Sequence, residues 1–370
     1  MTYTAEFDSV GPEKWHRLLL DFDDANVFHT WPFAAAHWGL DKLSHAVIKK
    51  GSRVIGLAQS VLVGVPILGK VMTYANFGPI WERSDIDDGI EHLKATVAAL
   101  QKEYVVRRRL CLRLRMPVGK VPDAACAAIL GEGAWKERRP LYRTYILDLS
   151  QSERQLRAAM DKRWRANLQK AEQRGLVVSQ RNDQDGVRIF LELHEQLRRR
   201  KGFTSVFPGL LPELYRVLPH QLRPNLFVCW RGNMPVAAAV VCAHGSSAFS
   251  LNTATGDAAL EVRAGYFLQW TIVRWLKETG QCRWYDVFVG NSPPGVRQFK
   301  RGLIGARAPE TAAREFGASE RRLMASMIEL GIRLRELHRK HKAASARPKA
   351  QRGLTRSSGL MSNHAGGCVR

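Results

Sequence analysis

The run strand, turn, strand, helix, strand occurs twice along this chain, and the two copies keep nearly the same spacing. In the first copy the pattern predicts strands over Ser44–Lys49 and Val54–Val63 around the turn Lys50-Gly51-Ser52-Arg53. A helix follows over Asp85–Tyr104, with Ile86, Ile90, Leu93, Val97 and Leu100 on one face, then an alternating strand over Leu110–Met116. In the second copy, strands at Asn225–Trp230 and Pro235–Ala243 flank Arg231-Gly232-Asn233, and Phe249–Thr253 extends the sheet. The helix Val262–Thr279 stops at Gly280, a residue suited to the left-handed cap, and Trp284–Val289 is the last strand. Gly232 follows Gly51 by 181 residues, Val262 follows Asp85 by 177, and Trp284 follows Leu110 by 174. So small a drift predicts two copies of one mixed α/β unit. A chain of 370 residues is also longer than one ordinary core requires.

Smaller elements fill the remaining chain. Pro32 is tolerated at the start of a helix around Phe33–Trp38. Between the copies, Gln151–Gly175 reads as one helix with a capping box at Ser150 and Glu153, and Gly175 closes it. A second helix, Gly186–Arg200, runs into the basic cluster Arg198-Arg199-Arg200-Lys201. Near the end, Phe316–Lys342 has helical spacing at Leu323, Met327, Leu330 and Leu334, and 346–370 has no apolar periodicity and is expected to be disordered.

Charge narrows the partners. Lys and Arg number 57 against 34 Asp and Glu, a net charge of +23. Residues 311–370 hold 13 basic and 4 acidic side chains, so the excess is not confined to the tail. Such a surface attracts phosphates of nucleic acid, nucleotide diphosphates or anionic lipid. The six cysteines form no CxxC pair and read as reduced core residues. Met1–Val10 lacks the order of a signal peptide, and the apolar run Val54–Leu68 is too short for a bilayer and carries Gly56, Gly64 and Pro66. A cytoplasmic protein, able to touch the inner face of the membrane electrostatically, is the expectation.

Familiar catalytic motifs are missing. Gly64–Lys70 fits GxxxxGK, but Val71 replaces the Mg²⁺-binding hydroxyl and Pro66 sits where phosphate-binding amides belong. No GxSxG or HExxH occurs, and no metal site is expected.

Residues 248–305 supply a different constellation: Phe249 to Gly256, Ala264-Gly265-Tyr266-Phe267-Leu268-Gln269-Trp270, Trp284-Tyr285-Asp286-Val287-Phe288-Val289-Gly290, and Gln298-Phe299-Lys300-Arg301-Gly302. With Phe28–Trp38, Gly78-Pro79, Leu112–Pro117, Arg163–Gly175 and Arg200-Lys201-Gly202-Phe203, these segments resemble, in order and spacing, the FemAB-like aminoacyltransferases and related GNAT-type acyltransferases over about residues 20–310. The resemblance implies tandem GNAT-like domains at 1–145 and 146–310, the second catalytic, followed by a C-terminal helix over 311–345 and the disordered basic tail 346–370. It also implies N-acyl transfer without a tightly bound cofactor. The co-substrate is aminoacyl-tRNA with an amine of a peptidoglycan-type envelope precursor as acceptor, or alternatively acyl-CoA with a polysaccharide, lipid or amine.

On this resemblance Phe299-Lys300 matches the family's catalytic pair. A fixed ammonium at Lys300 suits the oxyanion that forms when an amine attacks an ester or thioester; a solvated lysine is the plain reading. Asp286, at the end of a strand, is positioned to accept the amine proton directly or through water, or else to cap a turn. Arg200 and Tyr215 fall where the family contacts acceptor phosphates, and Arg163, Arg165 and Lys170 face tRNA or nucleotide phosphate or simply solvent. Arg263 and Gly265 open a helix near, but not at, the spacing of a CoA pyrophosphate loop. Phe249 stands where the peptidoglycan enzymes tend to have tyrosine, and Leu210 and Leu211 stand where an arginine is expected. A third possibility is an inactive RNA- or membrane-binding protein.

Overall fold

A computed structural model describes residues 2–65, 68–85, 88–118, 123–131, 135–203, 207–290, 292–305, 307–334 and 337–338. The chain forms two compact units, Met1–Glu320 and Arg321–Arg370.

The first half of the larger unit contains β1 (Tyr3–Phe7), α1 (Pro12–Leu19), α2 (Trp31–Trp38), β2 (Leu43–Lys50), β3 (Arg53–Val65) and β4 (Gly69–Asn76). It continues with α3 (Gly89–Leu100), β5 (Cys111–Arg115), α4 (Asp123–Gly131) and β6 (Trp135–Arg138). The second half begins with β7 (Arg143–Thr144), β8 (Ile146–Asp148), α5 (Glu153–Ala159), α6 (Lys162–Glu172), β9 (Leu176–Gln180), α7 (Gln184–Lys201) and α8 (Phe207–Val217). Then come β10 (Asn225–Arg231), β11 (Met234–His244), β12 (Ser247–Thr255), α9 (Ala264–Thr279), β13 (Trp284–Asp286), α10 (Pro294–Ile304), β14 (Thr311–Ala312) and β15 (Glu315–Ala318).

The repeat seen in the sequence is a repeat of sheet pairing. β2, β3 and β4 form an antiparallel meander, α3 crosses over, and β5 returns parallel to β4. β10, β11 and β12 do the same, with α9 as the crossover and β13 parallel to β12. A parallel return needs such a crossover, which is why each copy contains one long helix. The fold is therefore mixed α/β with two mixed sheets, in the orders β1-β2-β3-β4-β5-β15-β6 and β8-β13-β12-β11-β10-β9.

Each sheet has its own buried layer, the first under α3 and α4 with Leu93, Val97 and Tyr104, the second under α6 and α9 with Leu168, Leu268 and Val273. A third apolar cluster joins the halves. It takes Val47 and Leu57 from the first sheet, Val228 and Val240 from the second, and Trp15, Phe28 and Phe190 from the segments between. Each large side chain buried this way contributes about 1.5–3 kcal/mol, so the halves share a core.

Four expectations need correction. The helix foreseen over Gln151–Gly175 is two helices, α5 and α6, broken at Met160-Asp161. Its capping box is Ser152 with Gln155, not Ser150 with Glu153; Ser150 bonds Asp148 instead. The break is fixed from outside, because the Asp161 amide donates to the Gly302 carbonyl (2.9 Å) while its carboxylate caps α6. The helix foreseen from Asp85 begins at Gly89, since Asp85 pairs with Arg83 and Arg53, and after Leu100 it continues as a π-turn to Arg107.

The last correction concerns 311–345. β14 pairs with β7, and β15 inserts between β5 and β6 in the first sheet. The chain thus returns from its second half to its first before the helix over 322–334 starts. Gly317 permits this insertion, as a Cβ there would meet the Arg138 side chain at 2.9 Å. The expected disorder of 346–370 lies outside the described residues, as do Pro66 and Ile86.

Candidate active site

β12 and β13 pair only through Ser247↔Trp284, Ala248↔Tyr285 and Phe249↔Asp286. β13 then ends, while β12 runs on to Thr255 with no strand partner on that side among the described residues. The chain beyond β13 turns sharply, with Phe288 at φ 52° and Gly290 at φ 46°. For phenylalanine that left-handed conformation is unfavourable and must be held in place.

Two of the predicted residues hold it. Asp286 Oδ1 accepts the Phe288 amide at 2.6 Å, and Lys300 Nζ donates to the Phe288 carbonyl at 2.7 Å. The Asp286 carboxylate is buried and also accepts Thr144 Oγ1 (2.6 Å) and Tyr142 OH (3.1 Å). Burial pushes its pKa up to about 6, against the hydrogen bonds and the Lys300 charge, which oppose the rise. Lys300 is half-buried, and loss of water lowers its pKa to about 8, with the Asp286 charge working the other way. The two groups thus hold Phe288 from both sides, Asp286 at its amide and Lys300 at its carbonyl.

Packing of α10 sets the position of Lys300. Gly302 lies against Trp164 of α6, where a Cβ would be 2.8 Å from the indole Cδ1. Phe299 forms an aromatic cluster with Trp164 (ring centroids 5.8 Å) and Tyr266 (5.0 Å). Its ring tip also covers Gly265 at the start of α9, 3.7 Å from where a Cβ would be.

On the other side of Tyr142 and Phe288 is a cavity of about 350 Å³ between the two halves, lined in part by Phe28, Trp38, Phe77, Asn76 and Arg115. Aromatic side chains form about half of its walls. Arg115 is its cation: Nε bonds Glu315 (3.1 Å), Nη1 bonds Asn76 (2.9 Å), and the guanidinium lies 5.7 Å from the Tyr142 ring centre. Glu315 is fully buried and is shared with Arg113, so two arginines meet one carboxylate.

The other predicted residues divide into groups. Arg263 caps α9 in a left-handed conformation and donates to Asn167 of α6 at 2.8 Å, which brings it beside Gly265 and the Phe299 cluster. Arg165 closes the end of α5 by donating to Ala158 O (2.9 Å). Arg163 and Lys170 are exposed on α6. Arg200 is paired with Asp257 and donates to Thr255 O (2.8 Å), and Tyr215 donates to Pro224 O (2.7 Å) and packs into the shared core. The structure therefore gives Arg200 and Tyr215 intramolecular partners, and neither lines the cavity.

Tyr142, Thr144 and Arg115 were not foreseen. Two residues apart in extended chain, Tyr142 and Thr144 point the same way, and that alternation was the available signal. Tyr142 stands between Asp286 and the cavity, its hydroxyl bonded to the carboxylate and its side chain in the cavity wall. Burial and the Asp286 charge raise the Tyr142 pKa far above the usual phenol value, so the phenol stays neutral.

Residues 158–301 match the family model described as an acetyltransferase (GNAT) domain. No curated protein sequence matches the chain. Among solved structures, FemX is similar at TM-score 0.65 and 14% identity, covering 88% of this chain and 100% of that one. A conserved protein of unknown function from Bacteroides thetaiotaomicron gives TM-score 0.58 at 13% identity, covering 86% and 100%. L-PGS from Bacillus licheniformis gives 0.52 at 14% identity, covering 87% and 97%. At these identities the likeness establishes a shared fold.

Proposed function

We propose that the chain, whose residues 158–301 match a GNAT-type acetyltransferase domain model, is an acyltransferase that moves an aminoacyl group from aminoacyl-tRNA to an amine of a peptidoglycan-type envelope precursor. The observation carrying this reading is the placement of Lys300 and Asp286 on the carbonyl and amide of Phe288, at the opening between β12 and β13, with Phe288 itself in the wall of the aromatic cavity.

In the proposed reaction the acceptor amine attacks the ester carbonyl of the aminoacyl group. A C–N bond forms, negative charge collects on the carbonyl oxygen, and the C–O bond to the ribose then breaks. Only one of the three Lys300 donors is used by Phe288, so the ammonium has donors left for that oxygen. The amine loses its proton to the Tyr142 oxygen as Tyr142 passes its own to Asp286. The ribose hydroxyl regains a proton from the same path.

Aminoacyl-tRNA is favoured over acyl-CoA by the start of α9. A bound pyrophosphate needs open amides there. The Tyr266 amide is already bonded to Arg263 O (3.0 Å), and Phe299 covers Gly265. Exposed Arg163 and Lys170 on α6 leave a basic face for tRNA phosphates. The reading is tested by offering the purified protein a charged tRNA pool or labelled acetyl-CoA, each with an envelope-precursor acceptor. Label passing from tRNA to the acceptor is the expected result, and transfer from acetyl-CoA alone would overturn the choice of donor.

A further inference from the structure

Among the described residues that line the cavity between the two halves, Arg115 is the single Lys or Arg, and there is no Asp or Glu. The Arg115 side chain is 15% exposed. Two of its nitrogens are occupied, Nε by Glu315 (3.1 Å) and Nη1 by Asn76 (2.9 Å). Nη2 has no hydrogen-bond partner among the described residues. The rings of Tyr74, Phe77 and Tyr142 lie 5.1, 5.9 and 5.7 Å from the guanidinium carbon and fix its position. Charge is also unbalanced here. Glu315 serves both Arg113 and Arg115 and accepts the Leu141 amide (2.8 Å), so two guanidinium groups share one carboxylate and positive charge is left in excess.

Two carboxamides add to this donor set. Asn76 gives its oxygen to Arg115, which leaves its amide hydrogens open, and Asn252 of β12 makes no side-chain hydrogen bond among the described residues. A half-buried cation with an unused donor, in a wall rich in aromatic rings, calls for an anion. A cationic ligand would meet the excess positive charge, and the rings around that charge already hold the guanidinium. A phosphate dianion would bring more charge than the site balances. A carboxylate matches both the charge and the planar donor. Tyr142 and Phe288, which contact Asp286 and Lys300, line the same cavity. With the Tyr142 ring centre 5.7 Å from the guanidinium, a carboxylate at Arg115 and an amine at the Tyr142 hydroxyl fit within one small molecule or one residue of a larger one.

We propose that the cavity takes its substrate by a free carboxylate held on Arg115, with an apolar body against the Phe28, Phe77 and Phe288 rings. Resting on the transferase reading, this substrate is the acceptor, and its reacting amine belongs to an amino acid or amino-acid residue whose carboxylate is free. The test is calorimetric titration of the full chain, without acyl donor, with L-phenylalanine, its amide and phenyl phosphate. Binding of the amino acid about tenfold tighter, or more, than either of the others is expected. Arg115→Lys keeps a charge for Glu315 but cannot serve Glu315 and the ligand together, so it should fold and bind the amino acid about tenfold more weakly. Where melting curves show this variant unfolded, Asn252→Leu decides instead, with a loss of about threefold or more expected. Three outcomes overturn the proposal: no binding of the amino acid, equal or tighter binding of the amide or the phosphate, or undiminished binding by the deciding variant. An amino acid that binds through Arg115 but is never aminoacylated from charged tRNA counts against the transferase reading alone. Transfer to an amine acceptor without carboxylate binding counts against this proposal alone.

Discussion

Replacing Lys300 by alanine separates a chemical role from a structural one, because its effects on stability nearly cancel. The substitution removes a charged hydrogen bond to the Phe288 carbonyl, of the kind that contributes about 1.5–3 kcal/mol. It also removes a desolvated ammonium. Holding a lysine at about 8 instead of its usual 10.5 corresponds to about 3 kcal/mol of unfavourable burial. Net stability should therefore change by about 1 kcal/mol or less, a shift of a few degrees in melting temperature. The reaction rate has no such offset: losing one preorganised oxyanion donor costs about 10²–10³ in kcat. The pH profile gives a second readout. Parent activity needs Asp286 ionised and Lys300 protonated, so it should rise through about pH 6 and fall through about pH 8. Without the Lys300 charge the alkaline fall should vanish, and the acid limb should move above 6, since that charge holds the Asp286 value down. Single-turnover transfer over pH 5–9, with melting curves alongside, measures all three effects. A Lys300→Ala protein with near-parent rate and an intact alkaline limb would refute the reasoning and leave Lys300 as a clasp on the Phe288 turn.

Three further outcomes follow from the same geometry. Tyr142→Phe should lower kcat about 10²–10⁴-fold in the transfer assay while the protein stays folded, because Asp286 keeps Thr144 and the Phe288 amide but loses its link to the cavity. Gly302→Val should destabilise the protein by about 1–3 kcal/mol in chemical denaturation and reduce activity, since its Cβ meets Trp164 and pushes α10, with Lys300, off α6. Glu315→Gln should cost about 3–5 kcal/mol, seen as a lower denaturation midpoint, by leaving Arg113 and Arg115 buried without their carboxylate.

Local pattern was enough for the repeated unit, while Phe299-Lys300 and Asp286 were singled out by the family resemblance. Strand alternation, the turn glycines Gly51 and Gly232, and the long crossover helices are decided by residues close together in sequence, so their spacing shows a fold built twice. Distant contacts decided the rest. The break at Met160-Asp161 depends on the Gly302 carbonyl, more than 100 residues away in a helix packed alongside. Phe316-Gly317-Ala318 reads equally well as the start of a helix, and becomes a strand because β5 and β6 leave a gap that it fills. Arg200 and Tyr215 have the chemistry of phosphate ligands, and only the packed chain brings Asp257 and the Pro224 carbonyl within their reach. Tyr142 acquires its place between Asp286 and the cavity only when Arg143–Thr144 and Trp284–Asp286, some 140 residues apart, come together. Sequence determines which groups are available, but a hydrogen bond needs its partner within about 3 Å, and that proximity is a property of the packed chain.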